Sequence, residues 1–146
     1  MKKYLFLIGL FLIGCSSNDK YLANEGEVNI EYLFNSPNTE WFKANYESYI
    51  VDNATLDSGF SKIFNYEIEI YMNTKCHDSE REVPRLIKIL NSLNFPEKNL
   101  KIILLNSEKK TSDGLEIGKL ITNTPTIIFL NKSEEVNRIV EFPYEN

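Results

Sequence analysis

Residues 66–105 carry the pattern that most constrains the fold of this chain. Residues 66–72 alternate and are rich in β-branched and aromatic side chains, which predicts a strand. The apolar residues that follow recur at helical intervals and predict an amphipathic helix: Val83, Leu86, Ile87, Leu90 and Leu93. Residues 100–105 are nearly all apolar, as expected of a buried parallel strand. The sequence therefore predicts a βαβ unit, whose crossover should be right-handed.

Further elements are predicted on both sides of this unit. One helix, opened by Thr39 and Glu40, is predicted by apolar and aromatic residues at approximately helical spacing: Trp41, Phe42, Tyr46, Tyr49 and Ile50. A second, short helix is predicted over residues 56–64 by the same spacing of Phe60, Ile63 and Phe64. This aromatic set is interpreted as core, in preference to a ligand-binding cluster. Downstream, residues 115–121 predict a short helix and residues 126–130 a third strand. Residues 136–142 predict a fourth strand that pairs with the third as an antiparallel hairpin.

The first sixteen residues have the composition of an export signal. Lys2 and Lys3 precede an apolar run over residues 4–14, which is shorter than the roughly 20 residues that a membrane-spanning helix needs. The run ends in Leu-Ile-Gly-Cys at residues 12–15 and polar residues follow, which resembles a bacterial lipobox. The resemblance implies cleavage before Cys15 and a lipid on its sulfur. The residue after it is Ser16 rather than aspartate, which favours the outer membrane, facing the periplasm. A plain signal peptide or short membrane anchor is the alternative.

These patterns divide the chain into three parts. Residues 1–14 are expected to be a lipoprotein signal peptide, residues 15–40 a lipidated tether with an irregular entry, and residues 41–146 one domain. Removing Lys2 and Lys3 from the 16 basic and 21 acidic side chains changes the net charge from −5 to −7. Nucleic-acid binding is excluded because it needs a basic surface. Because the lipid would occupy Cys15, Cys76 is left as a free thiol, which marks it as reactive or intermolecular.

Three short segments resemble the thioredoxin superfamily. Residues 75–84, Lys-Cys-His-Asp-Ser-Glu-Arg-Glu-Val-Pro, are similar to the active-site helix start of such proteins. Residues 123–129, Asn-Thr-Pro-Thr-Ile-Ile-Phe, are similar to the segment that holds the cis-proline, and residues 135–141 to the last hairpin strand. The resemblance covers about residues 60–143. It implies a three-layer α/β fold with a four-stranded mixed sheet and flanking helices. The closing helix of the family is expected to be missing, because the chain ends just past the fourth strand.

The resemblance also implies roles for individual residues. Cys76 would be the nucleophile and Thr124-Pro125, with a cis bond, the platform for an extended substrate. Ser79 stands where the family has its second cysteine, so its hydroxyl could donate a hydrogen bond to the thiolate. Lys75 and His77 replace the family's tryptophan and proline and are assigned to substrate binding. An adduct on this single thiol would need an external thiol to resolve it.

The chemistry of Cys76 depends on where its helix begins. At a helix N-terminus, unpaired N–H groups, the helix dipole and Lys75 would stabilise a thiolate, whereas the carboxylate of Asp78 would oppose it. If the helix instead begins near Val83 and Pro84, Cys76 lies in a loop and the dipole argument fails.

The types of residue present narrow the function classes that the chain can belong to. One cysteine and one histidine, His77, cannot form a four-ligand zinc site, so no metal or other cofactor is expected. A thiol protease and a peroxiredoxin-type peroxidase are disfavoured. Thiol–disulfide exchange with protein thiols or disulfides remains, with two alternatives. The first is a binding module in which Cys76 is a relic, and the second is a purely structural envelope lipoprotein.

Overall fold

The computed structural model describes residues 23–52, 54, 56 and 60–143. The expected signal peptide and the lipidation site Cys15 lie outside the described residues. The elements in chain order are β1 (Gly26–Val28), α1 (Ile30–Asn35), α2 (Trp41–Ser48), β2 (Glu67–Met72), α3 (His77–Ser92), β3 (Leu100–Leu104), β4 (Thr126–Asn131) and β5 (Glu134–Val140). Short 3-10 helices occupy Pro37–Thr39, Phe60–Asn65 and Glu97–Asn99.

The strands form one mixed sheet in the order β1-β3-β2-β4-β5. Strands β2 and β3 are parallel and are joined through α3, which confirms the predicted βαβ unit. The pairs β1–β3, β2–β4 and β4–β5 are antiparallel, and the last of these confirms the predicted hairpin. The expected count of four strands is wrong, because β1 adds a fifth at the edge.

The expectation of an irregular entry over residues 15–40 is also wrong for the residues of that range that the structure describes. Residues 26–39 contain β1, α1 and a 3-10 helix rather than a tether. The side chain of Asn29 caps α1 by accepting from the backbone N–H of Tyr32. Helix α2 begins where expected, at Trp41, but ends at Ser48, so the predicted Tyr49 and Ile50 lie beyond it.

One face of the sheet carries the helices α1, α2 and α3. Alternate residues of the strands, among them Ile70, Ile102 and Ile127, point into a core that Phe42 of α2 and Ile87 of α3 share. The side chains of Ile70, Phe42 and Ile87 are fully buried. The aromatic residues of α2 therefore belong to the core, as interpreted, and not to a ligand pocket. The core interpretation is wrong for Ile50, Phe60 and Phe64, whose side chains are exposed because they lie beyond α2, two of them in a short 3-10 helix with no buried residue.

Helix α3 starts at His77 and contains Pro84 within it. The alternative start near Val83 is therefore excluded, and Cys76 is the N-cap residue. A proline inside a helix cannot donate to the carbonyl four residues earlier, which here is that of Glu80. The side-chain amide of Asn45, on α2, donates to this carbonyl at 2.9 Å. A neighbouring helix thus supplies the hydrogen bond that Pro84 removes.

The opposite face of the sheet is covered by residues 106–124. Leu115 and Ile121 of this segment pack against a second core cluster that contains Tyr71, Ile103 and Ile128. The segment consists of turns, so the helix expected over residues 115–121 is not formed. Positive φ values at Gly114, Gly118 and Leu120 interrupt any helix there. The third layer of the expected fold is therefore a loop in the described part of the chain.

Side-chain contacts hold this loop against the sheet. The ammonium of Lys119 lies 2.6 Å from a carboxylate oxygen of Glu69, and the hydroxyl of Tyr71 donates to the same oxygen at 2.9 Å. The guanidinium of Arg138, on β5, donates to the carbonyls of Lys119 and Leu120 at 3.1 and 3.4 Å. Burial and the hydrogen bond to Glu69 raise the pKa of Tyr71, which keeps its hydroxyl a donor.

The remaining predictions concern the segment before β2 and the segment after β5. The short helix expected over residues 56–64 is replaced, from residue 60 onward, by the 3-10 helix Phe60–Asn65. Residues 141–143, which follow β5, form no helix. Among the described residues, no helix is both long enough and apolar enough to cross a membrane.

Candidate functional site

Cys76 is held at the carboxyl end of the central strand β2, where the chain turns into α3. Its N–H donates to the carbonyl of Asn73 at 3.1 Å, and its carbonyl accepts from the N–H of Glu80 at 2.9 Å. The side chain of Asn73 fixes this turn from both sides. Its oxygen accepts from the N–H of Lys75 at 2.8 Å, and its amide donates to the carbonyl of Leu105, just past β3, at 2.7 Å. The turn is therefore tied to both parallel strands of the βαβ unit.

The Thr124–Pro125 peptide bond is cis, as the resemblance implied. It opens β4, and the thiol of Cys76 donates to the carbonyl oxygen of Thr124 at 3.0 Å. The carbonyl of Pro125 accepts from the N–H of Glu141 at 2.7 Å, which fastens the segment to the end of β5. The fold thus brings together two predicted site segments that are 48 residues apart in the sequence.

The pKa of the Cys76 thiol is lowered from its ordinary value by the donors around it. Partial burial raises this pKa, but hydrogen bonds from the side chain of Thr124, from the N–H and hydroxyl of Ser79 and from the N–H of Asp78 lower it by more. The carbonyl of Thr124 favours the protonated thiol, since it can only accept a hydrogen bond. The donors outnumber this single acceptor, so the thiolate is favoured relative to a free cysteine.

Ser79 lies one helical turn after Cys76 and is fully buried. Its hydroxyl oxygen accepts a long hydrogen bond, 3.4 Å, from the N–H of Asn73. Because an acceptor role leaves the hydroxyl proton free, that proton can be directed at the sulfur of Cys76. Ser79 is therefore shielded from solvent and lies within hydrogen-bonding reach of the thiol.

Of the two other predicted site residues, Lys75 lies at a cleft beside Cys76 and His77 lies outside that cleft. A cleft of about 560 Å³ opens beside Cys76, and Lys75 lines it. The side chain of His77 is 99% exposed, and its Nδ1 lies 3.9 Å from a carboxylate oxygen of Glu80. His77 borders a separate depression together with Arg81 and Arg85, so the structure does not bring it into the cleft.

Some residues of the cleft were not anticipated from the sequence. Asn24 enters it from the segment before β1, and Asn106 and Lys109 enter it from the loop after β3. The position of Asn106 could have been found, because the carboxyl ends of neighbouring parallel strands meet at the same edge of a sheet. Asn24 gave no such signal, since β1 itself was not predicted. Apart from Cys76, the charged or ionisable residues of the lining are the two lysines.

No group of three or more histidine, cysteine, aspartate or glutamate side chains is arranged to hold a metal ion within residues 23–52, 54, 56 and 60–143. Comparison with known proteins adds no relative. No protein-family model matches the chain, and no curated protein or solved structure is similar to it at a significant level. The chemistry of the site therefore rests on its own geometry.

Proposed function

We propose that this chain is a lipid-anchored envelope protein with a thioredoxin-like domain that carries out thiol–disulfide exchange through Cys76. The observation that carries the proposal is the juxtaposition of this thiol, at the N-terminus of α3, with the cis Thr124–Pro125 bond, at a distance of 3.0 Å between sulfur and carbonyl oxygen. The lowered pKa of the thiol supports it, because the thiolate is the form that attacks a disulfide.

The exchange requires a single nucleophilic step at one sulfur. The thiolate of Cys76 attacks one sulfur of a partner disulfide, so that a new S–S bond forms and the partner's S–S bond breaks. The departing sulfur leaves as a thiolate and takes a proton from solvent. The mixed disulfide is then resolved when an external thiol, after losing its proton, attacks it and returns Cys76 as thiolate. No net oxidation of the protein occurs, and no cofactor is required.

A second candidate function is a binding module that retains its partner. The observation that favours it is the buried hydroxyl of Ser79 at the position where a resolving thiol would stand. Cys76 is the free cysteine of the described residues, so a mixed disulfide on it has no internal thiol there to release it. In this function the partner would remain bound, and turnover would be slow or absent.

The pH dependence of Cys76 alkylation, measured on the mature protein in detergent, tests the proposed function. We expect a midpoint below the free-cysteine value of about 8.5 and fast reaction at neutral pH. A Cys76→Ser variant is the control, because it reports any reaction at Cys15. A midpoint at or above the free-cysteine value, or labelling only after denaturation, would refute the exchange function and favour the binding module.

Trapping experiments separate the two candidates further. The wild-type protein should form mixed disulfides in cell extracts that an added thiol reverses, and Cys76→Ser should form none. If the same partners remain bound to Cys76→Ser, the binding module is supported. Lipid anchoring is tested separately by labelling with a fatty acid, which should be incorporated in the wild type and lost in Cys15→Ala.

A further inference from the structure

The described chain begins beside the Cys76 cleft. Asn24 lines the cleft, and the carboxylate of Glu25 accepts from the N–H of Ser112 at 2.9 Å and from the amide of Asn106 at 3.2 Å. The carbonyl of Ala23 accepts hydrogen bonds from the Tyr32 hydroxyl and from the Asn38 amide. Contacts on two sides therefore fasten the start of the fold to the rim of the cleft.

The sheet register places this entry point at the same end as the thiol. Gly26 pairs with Leu104, and Leu104 pairs with Met72, which ends β2 four residues before Cys76. The hairpin that contains Ser133 lies at the opposite end of the sheet, because Glu67, the first residue of β2, pairs with Leu130. An attachment through the N-terminus is thus an attachment at the thiol end.

The length of chain before this entry point limits how far the thiol can lie from an anchor. Seven residues lie between Cys15 and Ala23, so eight residue-to-residue steps join them, and a fully extended chain covers at most about 3.6 Å per step. Whatever its conformation, this stem spans no more than about 29 Å. The charged residues that line the cleft, Lys75 and Lys109, do not oppose the approach of an anionic membrane surface.

We propose that the disulfides attacked by Cys76 are presented at the membrane surface to which the lipid on Cys15 is anchored, rather than by freely diffusing partners. This inference rests on the proposed exchange function and on lipidation of Cys15. The short stem would hold the cleft at a high effective concentration relative to disulfides on the same membrane. The partner class is therefore a membrane-attached protein whose disulfide lies close to the lipid headgroups.

The test compares two thiols on the same lipidated protein. The mature protein is placed in phosphatidylcholine vesicles that contain a phosphatidylethanolamine with a pyridyl disulfide on its headgroup. Release of pyridinethione gives the rate with the membrane disulfide, and a soluble aryl disulfide gives the reference rate. The ratio of the two rates corrects for the intrinsic reactivity of each thiol. The control is the double variant Cys76→Ser/Ser133→Cys, whose thiol lies in the β4–β5 hairpin at the opposite end of the sheet.

We expect the ratio to be at least about threefold higher for Cys76 than for the control thiol at position 133, because Cys76 lies at the end held by the stem and position 133 at the opposite end. Equal ratios, or a lower ratio for Cys76, would overturn the membrane-facing placement and leave the exchange function standing. A slow reaction of Cys76 with the soluble disulfide, with an undiminished ratio, would instead count against the exchange function. Failure of Cys76 to react with either disulfide would overturn both.

Discussion

Replacing Asn45 with alanine is expected to destabilise the protein only while residue 84 is proline. Pro84 leaves the carbonyl of Glu80 without its helical partner, and the Asn45 amide supplies the missing hydrogen bond at 2.9 Å. Asn45→Ala leaves this carbonyl without a protein donor. A neutral hydrogen bond contributes about 0.5–1.5 kcal/mol, and this one is partly buried, so we expect a loss of about 1 kcal/mol in the free energy of unfolding.

The Pro84→Ala variant restores the backbone donor. In that background the N–H of residue 84 can bond the carbonyl of Glu80, so Asn45→Ala should cost close to nothing. The double-mutant cycle should therefore yield a coupling energy of about 1 kcal/mol between positions 45 and 84. Urea denaturation of the wild type, both single variants and the double variant measures it directly.

The matched control for this cycle is Asn35→Ala. The amide of Asn35 also donates to a helix carbonyl, that of Glu31 at 2.8 Å, but this contact is exposed. Its replacement should change the unfolding free energy by less than about 0.5 kcal/mol. An equal cost of Asn45→Ala with proline and with alanine at position 84 would refute the reasoning, because the amide would then act through packing alone.

Three further predictions concern the thiol and the core. Ser79→Ala should raise the pKa of Cys76, because it removes a donor to the thiolate; the pH profile of alkylation should move upward, and Ser92→Ala on the same helix should leave it unchanged. Because the folded-state pKa of Cys76 is lowered, its contribution to stability is present above the ordinary thiol pKa and lost as the pH falls through the folded pKa. Urea titrations at a series of pH values should therefore show the wild type losing free energy of unfolding relative to Cys76→Ser as the pH falls through the folded-state pKa. A difference in unfolding free energy that does not change with pH would contradict this. Ile87→Ala, at a fully buried position, should cost about 2–5 kcal/mol in urea, whereas Ile117→Ala, at a side chain 79% exposed, should cost less than about 0.5 kcal/mol.

Sequence patterns located the segments of the candidate site where the signal was local. The position of Cys76 at the strand–helix junction followed from the change of hydrophobic period between residues 72 and 83. The cis Thr124–Pro125 bond came from the family resemblance rather than from any general rule, since few such bonds are cis. The placement of His77 had no comparable basis, because neighbours one residue apart do not share a helix face.

The failures involve elements that depend on distant partners. Strand β1 has three residues and no alternating pattern, and it exists as a strand through its pairing with β3, about 75 residues later. The helix expected over residues 115–121 has suitable apolar spacing. Positive φ values at Gly118 and Leu120, together with the contacts that Lys119 makes with Glu69 and Arg138, favour turns instead.

The sequence by itself determined the βαβ unit, the hairpin and the position of the thiol, because hydrophobic periods of two and 3.6 residues are properties of neighbouring side chains. Only the tertiary structure decided what surrounds that thiol. The Thr124 carbonyl and the entry of the chain at Asn24 both reach the site from distant positions. Such contacts depend on how the strands are ordered and paired, and the hydrophobic periodicity of a short segment does not specify that order.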